Sequence, residues 1–241
     1  DKFLDSYLSN IYKQIEKPYE LILIDDGKNK LLKDTIKKFK KNYPKIIIKV
    51  IINKKNLGAA VSLNKAIVAA KTKILFRLDV DDLWHKNHTK IYMNIIQKNP
   101  SFALYTQLSN LNFFQTITND KYQINRNLLI HSSWILNLNV LDSFRYSGNK
   151  KECEDYISYT KIILNGKKVY YSKKNTVIYR NVVSGHGNRY RNSIEVIRKK
   201  CSIKLFNYYK DKYSSKIFFI FFKFGFFPLL YFIYINYIRD D

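Results

Sequence analysis

Carboxylates are scarce in this chain. Asp and Glu number 19 against 43 Lys and Arg in 241 residues, a formal net charge of +24. Cysteine is scarcer still: Cys153 and Cys201 lie far apart and outside any C-x-x-C spacing, which excludes a disulfide scaffold and a cysteine zinc site and fits a reducing compartment. No signal peptide is visible at the start. The chain opens on Asp1 directly into an amphipathic pattern, and a larger protein with something upstream is expected. The lysine excess has neither an aromatic RNA-binding signature nor helix-turn-helix spacing beside it. It is dispersed in pairs such as Lys37-Lys38, Lys40-Lys41 and Lys167-Lys168, and Lys, Asn, Ile, Tyr and Phe, all with A/T-rich codons, are over-used together. Solvated faces account for the charge better than a nucleic-acid partner does, although attraction to an anionic membrane surface or a phosphorylated substrate stays open.

Where acids are so few, their placement is informative. The run Lys73-Ile74-Leu75-Phe76-Arg77-Leu78 leads into Asp79-Val80-Asp81-Asp82, so an apolar strand ends in three carboxylates within four positions. Strand side chains alternate, which projects Asp79 and Asp81 the same way and turns Asp82 out at the carboxyl end, where open α/β sheets bind ligands. Carboxylates this close repel unless a cation lies between them, and hard oxygen donors suit Mg²⁺ or Mn²⁺ carrying a diphosphate. A solvated acidic turn after a buried strand is the bland alternative.

Periodicity places the other elements. Leu4, Leu8, Ile11 and Ile15 give an amphipathic helix closed by Pro18, followed by a strand from Tyr19 to Ile24 that ends in Asp25-Asp26-Gly27. A helix over about Leu31 to Lys41 and a β-branched strand from Ile46 to Ile52 come next. Asn56 is positioned to cap a helix whose first turn holds the small Gly58, Ala59 and Ala60. A helix from about Lys86 to Lys98 and a strand from Phe102 to Thr106 complete an alternating order that predicts a parallel α/β sheet. From Ser109 to Lys151 the pattern weakens, and substrate-shaping loops are expected there. Glu152, Glu154 and Asp155 crowd the start of a helix ending at Asn165-Gly166, where acids are also simply stabilising. Short strands over 169–171 and 176–179 and a helix over 192–210 follow. Residues 217–238 are long and apolar enough to span a bilayer, yet Lys223 and Pro228 fit an interfacial helix equally well, and a core helix of a longer protein is a third reading.

Asp25-Asp26-Gly27, Asn56-Leu57-Gly58 with Ser62 to Ile67, Arg77 to Asp82, and Glu154-Asp155-Tyr156 ahead of Asn165-Gly166 resemble, in order and spacing, family 2 glycosyltransferases with the GT-A fold. His131-Ser132-Ser133 and Tyr179-Arg180 look like the members that build bacterial exopolysaccharide and lipopolysaccharide. The resemblance implies a Rossmann-like, mostly parallel central sheet flanked by helices over residues 1–185; a C-terminal helical region over 186–241, with the hydrophobic membrane-associating segment 217–238, is expected after it. It implies an inverting, metal-dependent hexosyltransferase-type enzyme at the cytoplasmic face of the membrane, held peripherally or by one C-terminal segment. The donor would be a nucleotide-diphosphate sugar and the acceptor a saccharide or a lipid-linked glycan, with no nucleic-acid partner. Asp25, Asp26, Asn56, Gly58, Asn64, Arg77 and Asp79 would bind the nucleotide sugar, and Asp81, Asp79 and Asp82 the Mg²⁺ or Mn²⁺. Asp155, with Glu154, would be catalytic, and His131 and Trp134 would lie on the acceptor side. The chain departs from the family in starting after its first strand, in Lys28 where Ser or Thr is usual, and in Val182, with His186 four positions on, where His is usual. The readings left open beside this one are a basic binder of nucleic acid or anionic membrane, and an inactive transferase-like domain.

Overall fold

The computed structural model describes residues 3–27, 32–108, 129–148, 153–172 and 174–178, together with residues 196, 197, 200, 201, 204 and 208. Helix α1 (Leu4–Tyr12) buries Leu4, Tyr7, Leu8 and Ile11, the one-sided spacing of an amphipathic helix. It ends earlier than the apolar period implies: Lys13 is its C-cap, and Ile15 is 49% exposed with its N–H donated to the Lys86 carbonyl at 2.8 Å. Strand β1 (Glu20–Asp25) alternates half-buried and buried residues. Helix α2 (Leu32–Asn42) carries it over to β2 (Ile47–Ile52), which pairs with β1 in parallel from Glu20↔Ile47 to Asp25↔Ile52. A parallel pair needs such a crossover, and Leu32, Ile36 and Phe39 are the face that packs it down. The shared direction brings Asp25 and Ile52 to the same end, where the Asn53 N–H extends the ladder to the Asp25 carbonyl at 2.9 Å.

Helix α3 (Ala59–Ala69) leads to β3 (Ile74–Phe76), β4 (Leu83–Trp84), α4 (His88–Lys98) and β5 (Leu104–Leu108). Then come β6 (Leu129–Asn137), α5 (Glu154–Leu164), β7 (Val169–Ser172) and β8 (Val177–Ile178). The larger sheet has the order β3-β6-β5-β7; β6 is antiparallel to both neighbours, β5 and β7 are parallel, and β4 and β8 form a separate antiparallel pair. The α/β architecture is the expected one, with mixed strand directions among the described pairings. Strand β6 is the element the sequence disguised, since it falls in the stretch expected to be loops. Ser132 and Ser133 interrupt its apolar run, yet both are buried and hydrogen-bonded, so a strand core accepts them without penalty.

Two apolar clusters meet across β6. One joins Ile67 of α3, Leu104, Trp134, Leu136, Tyr159 and Ile163. The other seats Tyr92 and Ile96 of α4 on Phe102, Tyr105 and Ile135. Adjacent side chains of β6 thus enter different clusters, as a strand covered on both faces requires. Lys28, Val182, His186, Tyr179-Arg180 and the apolar run 217–238 lie outside the described residues. Among the described residues, no helix is long and apolar enough to cross a membrane.

Ile135 is fully buried at the centre of the larger sheet. Ile135→Ala is expected to cost about 2–5 kcal/mol, the range for deleting a large aliphatic core side chain. A shift of the urea midpoint at unchanged slope is the check.

Candidate active site

The three carboxylates stand where β3 gives way to a turn. The β3 ladder continues one step, the Arg77 N–H donating to the Trp134 carbonyl at 2.9 Å, and the turn is closed by the Asp82 N–H on the Asp79 carbonyl at 3.1 Å. Arg77 folds back on Asp79 in a two-pronged pair, Nη1 to Oδ2 at 2.7 Å and Nη2 to Oδ1 at 2.6 Å. Against the burial that would raise it, this guanidinium holds the Asp79 carboxyl at about 2. The Asp79 side chain nonetheless keeps 41% of its surface exposed while that of Arg77 keeps 14%, so the pair has a closed back and an open front. Asp82 does not turn outward as expected. It is 1% exposed and accepts the Ser132 hydroxyl at 2.5 Å. The same hydroxyl oxygen accepts the Asp79 N–H at 3.1 Å, so one β6 serine fixes the turn from both ends.

Asp79, Asp81 and Asp82 each offer a carboxylate oxygen, and these oxygens lie within 4.8 Å of one another. Three hard oxygen donors converging from one short turn fit Mg²⁺ or Mn²⁺. Arg77 offsets part of the mutual repulsion.

The first acidic turn is used differently. Asp25 is buried and its Oδ1 accepts the Gly27 N–H at 2.9 Å. Asp26 reaches across to the loop ahead of α3: Oδ1 accepts the Leu57 N–H at 2.7 Å and the Asn53 amide at 2.8 Å, while Oδ2 accepts the Gly58 N–H at 2.7 Å. Burial acts to raise the Asp26 pKa, and these donors, Leu57 first, lower it. Gly58 has φ 89°, a left-handed conformation that favours glycine, and it rather than Asn56 is the residue before the helix. Asn56 is exposed ahead of it. The expected cap is therefore replaced by a carboxylate from the neighbouring strand, which satisfies N–H groups that a helix start leaves over. Asn64, on α3, clamps the backbone of Tyr146 through Oδ1 to its N–H at 2.7 Å and Nδ2 to its carbonyl at 2.9 Å.

Helix α5 opens with Glu154 and Asp155 in its first turn. The Asp155 Oδ1 accepts the Tyr156 N–H at 2.7 Å and the Cys153 thiol, which anchors the carboxylate at the helix start. The Glu154 side chain is 13% exposed, with Oε1 3.8 Å from His131 Nδ1. Burial first, and the charge of Asp155 second, raise the Glu154 pKa well above the ordinary carboxylate range. Burial and then Arg77 push His131 down to about 3, so the imidazole is neutral and the contact is not an ion pair. Trp134, expected beside the acceptor, is fully buried under Tyr146 and His131 and backs the site from inside, because the inward face of β6 carries it into the core. Asn53 and Tyr146 are participants that the sequence does not mark, and Ser132 stands in it only within the His131-Ser132-Ser133 stretch, with no role attached. A serine pair inside an apolar strand was the one visible signal for Ser132.

The sequence profile of glycosyl transferase family 2 matches residues 1–151, more than half of the chain, and the chain belongs to that family. An uncharacterised glycosyltransferase of Methanocaldococcus jannaschii is 25% identical over 182 residues, 70% of this chain and 62% of that protein. The bifunctional glycosyltransferase pgtA of Dictyostelium discoideum is 34% identical over 101 residues, 40% of this chain and 13% of that one. The chain thus spans less than two thirds of these relatives. Among solved structures, S. aureus TarS in complex with UDP-GlcNAc superposes with a TM-score of 0.62 at 18% identity, covering 86% of this chain and 64% of that one. The Pyrobaculum calidifontis mannosyltransferase PcManGT in complex with GDP-Man and Mn²⁺ gives 0.61 at 15%, covering 89% and 61%. The fold is accordingly GT-A-like α/β.

Arg77→Met should destabilise the protein by about 1–3 kcal/mol at neutral pH, less than for a fully buried pair because water screens the open face of Asp79. The sign follows from a carboxyl depressed in the folded state: the contribution is complete above the ordinary value near 3.8 and disappears as pH falls towards about 2. Denaturation of both proteins between pH 2 and 7 is expected to give curves that are parallel at the top and converge at the acid end.

Proposed function

We propose that the chain is the catalytic portion of a metal-dependent, inverting glycosyltransferase that moves a hexosyl unit from a nucleotide-diphosphate sugar to a saccharide or lipid-linked acceptor. The observation that carries the proposal is the convergence of Asp79, Asp81 and Asp82 at the end of β3 with Glu154 and Asp155 at the start of α5. The charges of Arg77, Asp79 and Asp155 all act on Glu154, which supports reading the two acidic groups as one site. Membership of the family supports it, as does a fold neighbour that carries GDP-Man and Mn²⁺.

Asp79, Asp81 and Asp82 would hold the Mg²⁺ or Mn²⁺, whose chemistry when bound is to neutralise a diphosphate leaving group. Asp25 and Asp26, with the loop 53–58 that Asp26 pins, border the nucleotide. Asn64 and Arg77 keep the surrounding backbone and carboxylates in place for it. Asp155 accepts the acceptor hydroxyl proton as that oxygen bonds to the anomeric carbon. The bond from that carbon to the diphosphate oxygen breaks, and its electron pair leaves with the diphosphate. Attack from the face opposite the leaving group inverts the anomeric configuration. The apolar run 217–238 in the sequence supports work at the cytoplasmic face of the membrane, in assembly of a bacterial surface polysaccharide.

Two measurements test the proposal. Asp81→Asn is expected to abolish metal-dependent binding of a nucleoside diphosphate in titration calorimetry while the melting temperature holds; equal affinities would remove Asp81 from the metal site. Asp155→Asn should lower turnover by about 10²-fold or more with donor affinity near wild type. A full-speed Asp155→Asn enzyme would take that residue out of the mechanism.

A further inference from the structure

Behind Glu154 lies a set of buried polar groups that donor, metal and base do not use. Tyr146 is 5% exposed and held on three sides. Asn64 grips both of its backbone polar groups, its ring lies nearly parallel to Trp134 at 17° and 6.0 Å, and Phe144 meets its edge at 5.2 Å. Its hydroxyl faces His131 Nε2 at 3.2 Å. The imidazole also stands edge-on to Trp134 at 4.6 Å and turns its other nitrogen, Nδ1, towards Glu154 Oε1. A neutral imidazole has one N–H, and the partner at one nitrogen decides whether the other gives or receives a proton.

We propose that Tyr146 and His131 are positioning residues: the Tyr146 hydroxyl fixes the imidazole in one tautomer and orientation, and the imidazole, with Nδ1 3.8 Å from Oε1, bounds the space that the Glu154 side chain occupies beside Asp155. The catalytic part of this assignment rests on the transferase reading above. Three elements are tied by it. Asn64 of α3 sets Tyr146, Tyr146 sets His131 of β6, and His131 sets the acidic start of α5, so the side of the site holding the nucleotide is coupled mechanically to the side holding the base. Among the described residues, the groups acting on Glu154 include Arg77 and Asp79 from the turn after β3, His131 from β6, Tyr146, and Asp155 of its own helix. Burial keeps the His131 imidazole neutral, so it borders the Glu154 side chain without adding charge. Partners that orient a functional group in this way are worth about tenfold or more in activity when removed.

The full chain contains four histidines, His85, His88, His131 and His186, few enough to assign. With ¹⁵N-labelled histidine, long-range ¹H–¹⁵N correlation should find His131 in a single tautomer in the wild type and in a mixture in Tyr146→Phe. The same variant should lose about tenfold in kcat with donor KM within about twofold and a melting temperature within a few degrees. His131→Asn keeps a nitrogen near the Nδ1 position towards Glu154, and should retain more activity than His131→Gln, which keeps one near Nε2. A ring that merely fills space predicts no such order. Wild-type kcat in Tyr146→Phe, a mixed tautomer already in the wild type, or the reverse order of the His131 variants overturns the proposal. The tautomer measurement needs no turnover, so a wild-type chain inactive on every nucleotide sugar refutes the transferase reading, while the positioning of His131 stands or falls on the spectrum.

Discussion

Crowding carboxylates at the end of a strand is electrostatically unfavourable, and the Arg77–Asp79 pair is what makes it tolerable here. Two charge-assisted hydrogen bonds fix both oxygens of Asp79, and the buried guanidinium supplies positive charge behind the trio. The geometry of the rest follows from it. Asp82 turns inward to Ser132, the Arg77 charge acts on Glu154 from α5, and burial first, then Arg77, keeps His131 neutral.

The two acidic turns show how similar local patterns serve different ends. Each is a strand ending in adjacent carboxylates. At Asp26 the donors are backbone N–H groups of the neighbouring loop, and the result is a rigid entry to α3 with glycine where a left-handed conformation is needed. At Asp79 to Asp82 the turn closes on itself and on the Ser132 hydroxyl, and the side chains gather beside one another with Asp79 on an arginine. What surrounds a carboxylate, rather than its place in the sequence, sets whether it braces a helix entry or joins an acidic cluster.

The β6 strand is the member through which the fold is coupled to chemistry. It ties β3 to β5, supplies Ser132 to the acidic turn after β3, brings His131 near Glu154, and buries Trp134. The domain tolerates such polar residues in a central strand because each has a partner on a neighbouring element.

Period and turn chemistry were enough to place α1, α2, β1, β2 and α4 within a few residues, because those elements bury one face each and write that face into their spacing. The acidic end of β3 and the acidic start of α5 were equally visible, since carboxylates stand out in a basic chain. The direction and full length of β6 were not, because its pairing partners are distant in sequence and its serines break the alternation. Nor was the inward turn of Asp82, or the burial of Trp134, which depend on what packs against a face rather than on which face it is. Asn64 was singled out as a residue that mattered, but only the folded chain makes it a clamp on Tyr146, 82 positions away. Local sequence determined the elements and their charged ends; tertiary packing decided which of those charges meet, because burial and partner identity are properties of the assembled core.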